Sequence, residues 1–391
     1  MKRQIFLLLS ALLACSLAEG QSKGTDTIVD VGDARLHFRV IQGKGVPILF
    51  DAGGGDDGTV WDGILKPLAE ITGTTLITYD RAGFGQSQIV ETANDVSRHG
   101  ILNGIEGLEI GLKKLGYDGD IMLVSHSYGG FYSELYAFRH PRLVKTAVLI
   151  DANHACWFTE AYTAKIMMER QTETAHRDGQ TPGNYYQLIN LPGTVEVMRS
   201  APFPSSIPVI DLVSENPPFG DIADRARWES CHKQFAEAAP NREGIVAYGS
   251  GHYIFRDNPA LVINPIVRAY SNIIGQPQRD QVLQRGISYA VTAANESKRR
   301  EAAYRHSEDD LNSWGYALLN HAESQKALDV FRLNVEFHPT SWNVYDSYGE
   351  ALLNAGKKEE ALAMYRKSVE LNPKSEHGVK VIEELSNSER K

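Results

Sequence analysis

Residues 121–130, Ile121-Met122-Leu123-Val124-Ser125-His126-Ser127-Tyr128-Gly129-Gly130, limit what this chain can fold into more than any other stretch. Four consecutive apolar residues read as a strand buried on both faces, and the glycine pair reads as the entry to a helix. Ser127 sits between them on a tight turn, where small neighbours are needed because other backbone passes close by. The spacing follows G-x-S-x-G, a turn that pushes a hydroxyl out at the top of a sheet, with Ser125 in place of the first glycine. A plain strand followed by a solvated serine would look similar. What separates the two is whether the chain also supplies fixed N–H donors, a carboxylate and a histidine.

The flanking sequence has a regular rhythm. Two short alternating segments between Asp26 and Ile41, parted by Gly32-Asp33, read as a hairpin. Val46-Pro47-Ile48-Leu49-Phe50 is a buried strand ending in Asp51-Ala52-Gly53-Gly54-Gly55, whose glycines let backbone approach a ligand and turn N–H groups into a cleft. A helix over 60–71 and a strand at Thr75–Tyr79 follow, then Asp80-Arg81-Ala82-Gly83-Phe84-Gly85-Gln86-Ser87. A helix near 100–115 leads to the elbow strand, a helix follows it at 128–139, and Val144–Ile150 is another buried strand. Strands alternating with helices imply a doubly wound, mostly parallel sheet, with its site at the carboxyl ends of the strands. Residues 152–206 carry aromatic and methionine side chains without an obvious strand, and read as a mostly helical cap. Strands resume at Ile207–Val213 and Gly244–Tyr248, and Gly249-Ser250-Gly251-His252 follows at once. A final helix ends near Ile274, so the first domain spans 25–275.

Beyond it the pattern changes. Residues 276–310 are polar and helical in pattern, a linker helix. From 311 to 391 the chain repeats itself: Gly315 matches Gly349, Ala327 matches Ala361, Phe331 matches Tyr365 and Pro339 matches Pro373, each pair 34 residues apart. That period, with these residues in register, resembles tetratricopeptide repeats. Two repeats are fewer than normally stand alone, so they need the preceding helix or docking on the first domain.

A net charge of −9 excludes a nucleic-acid binder, because no basic stripe answers phosphate. Lys2 and Arg3 precede an apolar run from Ile5 to Ala14, which reads as an export signal over 1–20. Leu12-Leu13-Ala14-Cys15 also resembles a bacterial lipobox, which would tether the protein to a membrane through a lipid on Cys15. The expected location is the bacterial periplasm or the extracellular space. There, Cys156 and Cys231 form a disulfide or stay as two buried thiols, and the spacing leaves both open.

Taken together, residues 25–275 resemble the α/β-hydrolase superfamily, through Asp51–Gly55, Tyr79–Ser87, the elbow at Ser127 and Gly249–His252. The resemblance implies Ser127 as nucleophile, His252 as its general base, and an oxyanion hole made by the backbone N–H groups of Tyr128 and Gly54. Most members carry the acid after the strand equivalent to 207–213, but Pro217 stands at that position here. Some, notably one subgroup of haloalkane dehalogenases, carry it after the preceding strand, which points to Asp151, with Glu215 as the alternative. Asp80 and Arg81 read as a structural ion pair or turn element. His126 should point away from the nucleophile, into packing or the cleft wall.

The implied activity is an exported serine hydrolase cleaving a small-molecule acyl substrate (an ester, thioester or small amide) through an acyl-enzyme. Iminopeptidase-type hydrolysis is an alternative, with Glu160, Glu169 and Glu173 as weak candidates for a substrate amine. A non-catalytic protein recruiting a peptide or protein partner through its repeats is another. No metal or organic cofactor is expected, since H-E-x-x-H, a cysteine cluster and a dinucleotide fingerprint in its strand–helix setting are all missing.

Overall fold

The computed structural model describes residues 24–90, 96–171, 181–219, 221–299, 308–320 and 324–388. The export signal, the lipobox cysteine and Glu173 lie outside the described residues.

Among the described residues nine strands form one sheet: β1 (Gly24–Asp30), β2 (Ala34–Ile41), β3 (Ile48–Asp51), β4 (Leu76–Tyr79), β5 (Gln88–Ile89), β6 (Ile121–His126), β7 (Val144–Ile150), β8 (Val209–Asn216) and β9 (Arg242–Gly251). Their order is β1-β2-β4-β3-β6-β7-β8-β9, with the short β5 beside β2. The β1–β2 hairpin joins β4 antiparallel, and β4 through β9 pair parallel across the rest of the sheet.

Alternate side chains of the central strands feed two cores, as the pleat requires. Phe50, Met122, Val124, Val148 and Leu212 pack toward α1 (Asp62–Thr72) and the later helix at Pro259–Ser271. Leu49, Leu123, Leu149 and Val213 pack toward α2 (Ile101–Leu115), α3 (Gly129–Arg139) and the helix at Ile222–Glu237. In α2 the buried Ile101, Ile105, Leu108 and Leu112 recur at helical spacing, and Gly116, at φ +80°, closes the helix by returning its N–H to the last turn. Between β7 and β8 lie the cap helices α4 (Glu160–Glu169), α5 (Pro182–Ile189) and α6 (Leu191–Ser200). After β8 come α7 (Ile222–Glu237), β9, the short α8 (Ile254–Asp257) and α9 (Pro259–Ser271).

The C-terminal part is helical. α10 (Gln278–Arg299) buries Val282, Leu283 and Ile287 in the core formed by α1 and α9. Two helix pairs follow, α11 (Glu308–Asn320) with α12 (Ser324–Phe337), and α13 (Trp342–Asn354) with α14 (Lys358–Leu371), before α15 (Glu376–Ser388). Their close approaches repeat too. A Cβ on Gly315 would lie 2.4 Å from the Phe331 ring, and one on Gly349 would lie 3.0 Å from the Tyr365 ring. No helix among the described residues is long and apolar enough to cross a membrane.

The helical part and the sheet domain share one continuous core. At their junction a side chain on Gly286 of α10 would meet Val267 of α9 at 2.6 Å and Trp314 of α11 at 3.1 Å, and Trp314 is wholly buried. Trp314→Ala should therefore cost about 3–5 kcal/mol, seen in urea unfolding as one earlier transition for the whole chain. Loss of the C-terminal helical signal alone, with the sheet domain unmoved, would contradict a shared core.

Candidate active site

Two residues at the ends of neighbouring strands have left-handed backbone although neither is glycine: Ser127 at φ +50° and Asp151 at φ +45°. Such a conformation costs roughly 1–3 kcal/mol and persists only where surrounding bonds enforce it. Here they do. Ser127 N–H donates to the Ile150 carbonyl, the Asn153 N–H donates to the Ser127 carbonyl at 2.8 Å, and Asp151 N–H donates to the Leu212 carbonyl at 2.6 Å. The glycines after Ser127 are required by packing. A Cβ on Gly129 would lie 2.5 Å from the Asp51 carbonyl oxygen, and one on Gly130 would lie 2.7 Å from the Ala152 methyl. Position 125 is less demanding, for Ser125 is accommodated, fully buried.

The structure brings Ser127, His252 and Asp151 into one chain of hydrogen bonds. His252 Nδ1 lies 2.6 Å from Asp151 Oδ2, and His252 Nε2 lies 2.9 Å from Ser127 Oγ. An ionised carboxylate only accepts, so Nδ1 carries the proton and Nε2 is left to accept from the serine hydroxyl. Asp151 is wholly buried and saturated with donors. Its Oδ1 accepts from the Ser214 N–H at 2.8 Å and the Trp228 indole N–H at 2.9 Å, and its Oδ2 accepts the Ser214 hydroxyl at 2.8 Å as well as His252. Burial pushes its pKa up, but the hydrogen bond and charge of His252, the charge of His232 and the Ser214 N–H outweigh it and hold the carboxyl below its ordinary value.

Glu215, the alternative acid, is exposed and accepts the Gly249 N–H at 2.7 Å. It braces the loop that carries His252. Ser214 and Trp228 have no mark in the sequence. A strand serine and a helix tryptophan read as ordinary packing, and only the fold brings them to Asp151.

The glycine loop after β3 is held by Arg81. The buried guanidinium donates to Asp51 Oδ1 at 2.6 Å and also to the carbonyls of Ala52 and Gly53. In a trans peptide the N–H points opposite to the C=O of the same unit. A Gly53 carbonyl turned to Arg81 therefore turns the Gly54 N–H away from it. Asp51 is completed by the Tyr79 hydroxyl at 2.5 Å. Asp80 and Arg81 are thus both loop-shaping groups, but they do not pair with each other. Arg81 pairs with Asp51, whereas Asp80 accepts the Gly58 and Gln86 N–H groups, each at 2.8 Å, and bonds His37. Tyr128 follows the serine, and a Cβ on Gly54 would lie 3.6 Å from its Cβ, so the two expected oxyanion donors come from adjoining residues. Gln187 of the cap reaches the same place, its Nε2 at 2.6 Å from that Gly54 position. A cavity of about 870 Å³, including its open mouth, lies beyond Tyr128 and is walled by Tyr79, Arg81, Phe84, Tyr132 and Tyr186. Ser127 is not part of its lining.

These features define a class. Residues 46–264 match the family described as the alpha/beta hydrolase fold, and the chain belongs to that family. An uncharacterised protein of Bacillus subtilis is 24% identical over 222 residues, covering 56% of this chain and 81% of its own length. A proline iminopeptidase of Lactobacillus delbrueckii subsp. lactis is 27% identical over 176 residues, 42% of this chain and 59% of the relative. Among solved structures, the epoxide hydrolase VrEH1 of Vigna radiata superposes with a TM-score of 0.51 at 14% identity, over 63% of this chain and 98% of its own. That likeness concerns the fold.

His126, next to the serine, packs beneath the base, its ring 4.5 Å from that of His252 and against those of Phe255 and Trp61. Its Nε2 donates to the His252 carbonyl at 2.9 Å, a brace on the base that its place in the sequence does not reveal. Burial, then the nearby charge of His252, lowers its pKa from 6.5 to about 3. Between these values the unfolded chain takes up a proton that the folded one refuses. The His126 contribution to stability is therefore full above pH 6.5 and falls as the pH drops toward 3. His126→Gln keeps a donor and removes the titration, so its unfolding free energy should fall less steeply across that window than the wild type's. Equal slopes in urea titrations at stepped pH would contradict this origin.

Proposed function

We propose that the protein is an exported serine hydrolase that cleaves an ester, thioester or small amide through an acyl-enzyme. The observation that carries the reading is the hydrogen-bonded chain from Ser127 Oγ through both nitrogens of His252 to Asp151.

Ser127 Oγ attacks the carbonyl carbon while its proton passes to His252 Nε2. The carbonyl oxygen becomes an oxyanion facing the N–H groups of Gly54 and Tyr128, where fixed donors are worth most because they need no reorganisation. Asp151 stabilises the imidazolium through Nδ1 and keeps its proton placement. Collapse of the intermediate breaks the bond to the leaving alcohol, thiol or amine, which takes the proton from Nε2. Water then attacks the acyl-serine as His252 Nε2 takes its proton; the acyl bond to Ser127 Oγ breaks, Oγ receives that proton from Nε2, and the acid leaves.

The location outside the reducing cytoplasm is supported by the Cys156–Cys231 disulfide. The C-terminal helix pairs are proposed to be tetratricopeptide-type repeats that hold a peptide or protein partner, supported by the repeated Gly315–Phe331 and Gly349–Tyr365 contacts. Iminopeptidase-type hydrolysis is a second reading, favoured by the likeness to proline iminopeptidase. Glu160 and Glu169, its carboxylate candidates in the cap, are exposed on α4.

A fluorophosphonate probe should modify Ser127 and no other serine. In a screen of chromogenic acyl esters and aminoacyl amides, Ser127→Ala abolishes turnover, Asp151→Asn lowers kcat by about 10³–10⁴-fold, and Glu215→Gln leaves it near wild type. An unlabelled, folded protein would end the enzyme reading, and preference for aminoacyl amides would select the peptidase.

A further inference from the structure

Behind Asp151 stands a second carboxylate–imidazole pair that the reaction above leaves unused. Asp211 of β8 and His232 of α7 are almost wholly buried, and His232 Nδ1 donates to Asp211 Oδ2 at 2.7 Å. His154 Nε2 approaches the same oxygen at 3.5 Å. The disulfide joins Cys156, two residues past His154, to Cys231, the neighbour of His232, so it ties both imidazole-bearing segments over Asp211. One turn before His232 on the same helix is Trp228. Its ring meets that of His232 at 4.7 Å between centroids and that of Trp157 at 4.9 Å, and its N–H is a donor to Asp151 Oδ1.

We infer that His232, anchored by Asp211 and the disulfide, is a positioning residue for Asp151: it fixes the rotation of the Trp228 indole, and the indole N–H fixes the plane of the carboxylate that orients His252. The inference rests on the triad reading above. The terminal torsion of an aspartate is broad and roughly two-fold, so donors decide which oxygen faces the imidazole. Without the indole, Oδ1 would keep only the Ser214 N–H. An apolar filler at 211 and 232 would pack at lower desolvation cost than a buried ion pair, but it would provide no directional anchor for the helix face that carries Trp228. Burial works against a charge on His232, yet Asp211 outweighs it and raises the pKa. A metal is the competing occupant, since the three ligand atoms lie within 4.8 Å of one another. The shortest of these separations is already a hydrogen bond, so a proton stands between two of the atoms a metal would have to join.

The test is Trp228→Phe, which keeps an aromatic ring and removes the N–H, together with Asp211→Leu and the milder Asp211→Asn. Trp228→Phe and Asp211→Leu should lower kcat by about 10- to 100-fold with KM little changed, and Asp211→Asn, which still accepts from His232, should stay close to wild type. The short His252–Asp151 hydrogen bond should give a far-downfield proton resonance. That signal should shift in Trp228→Phe and Asp211→Leu and vanish in Asp151→Asn, whatever the substrate proves to be. A Trp228→Phe enzyme with wild-type kcat and an unmoved resonance would overturn the inference. So would stoichiometric zinc in the purified wild type that is lost in Asp211→Asn. Failure of the triad reading is distinct, for it would show as no probe on wild-type Ser127. If Asp211→Leu does not fold, wild-type behaviour of Trp228→Phe still overturns the inference, and His232→Phe, which keeps a ring and removes the Asp211 bond, replaces Asp211→Leu as the variant expected to lower kcat and shift the resonance.

Discussion

The site depends on two peptide turns that ordinary side chains avoid. Ser127 and Asp151 end adjacent parallel strands with positive φ, and each turn is locked partly by the other. The Ser127 N–H reaches back to Ile150, the residue before Asp151, and the Ser127 carbonyl receives the N–H of Asn153, two residues after it. The strain at one strand end is thus balanced by bonds from the next. It follows that the serine hydroxyl and the aspartate carboxylate are not placed independently. Both stand at the carboxyl edge because β6 and β7 are in register, His126 opposite Ile150, and a slip of either strand would lose both together.

A second constraint acts on the neighbouring loop. The Arg81 guanidinium draws two successive carbonyls and a buried carboxylate to itself, and aromatic rings surround it, with Phe84 and Tyr132 each 5.3 Å from the guanidinium carbon. Glycine alone would leave residues 53–55 free to turn. The buried cation removes that freedom, so the N–H groups of the loop are oriented before any substrate arrives. Such fixed dipoles are effective because they do not relax when charge develops. The same logic reaches the base, whose carbonyl is held by His126 and whose loop is held by Glu215.

How much of this was legible follows from the range of the interactions. The buried strands and amphipathic helices were legible because the signal is local periodicity, and the 34-residue offset because it is self-similarity. The left-handed turn at Ser127 was visible through its small neighbours at Gly129 and Gly130, although Ser125 blurred the pattern. Asp151 carried no such mark, since its neighbours Ala152 and Asn153 are unremarkable and its conformation is enforced by β8. The donors Ser214 and Trp228 come from 63 and 77 residues away, and nothing in local pattern joins positions at that distance. The disulfide was open for the same reason: two cysteines 75 residues apart can pair only if a helix and a turn meet. Arg81 could be identified as structural, but its partner could not, because Asp80 beside it was the obvious carboxylate and Asp51 was not.

The C-terminal helices meet the sheet domain at the end away from the site. Pro67, Glu70 and Ile71, in the last half of α1 before the chain enters β4, face Gln284 and Ser288 of α10. At the other contact Glu243, at the start of β9, and Ser271, at the end of α9, face Asn312 and Tyr316 of α11. These are amino ends of strands, whereas Ser127, Asp151 and His252 all follow carboxyl ends. Two helix pairs bury too little surface to be stable alone, and extension of the α1–α9 core through α10 resolves that shortage without covering the cleft. The same attachment runs by way of α9 and β9, and β9 is the strand from which His252 departs.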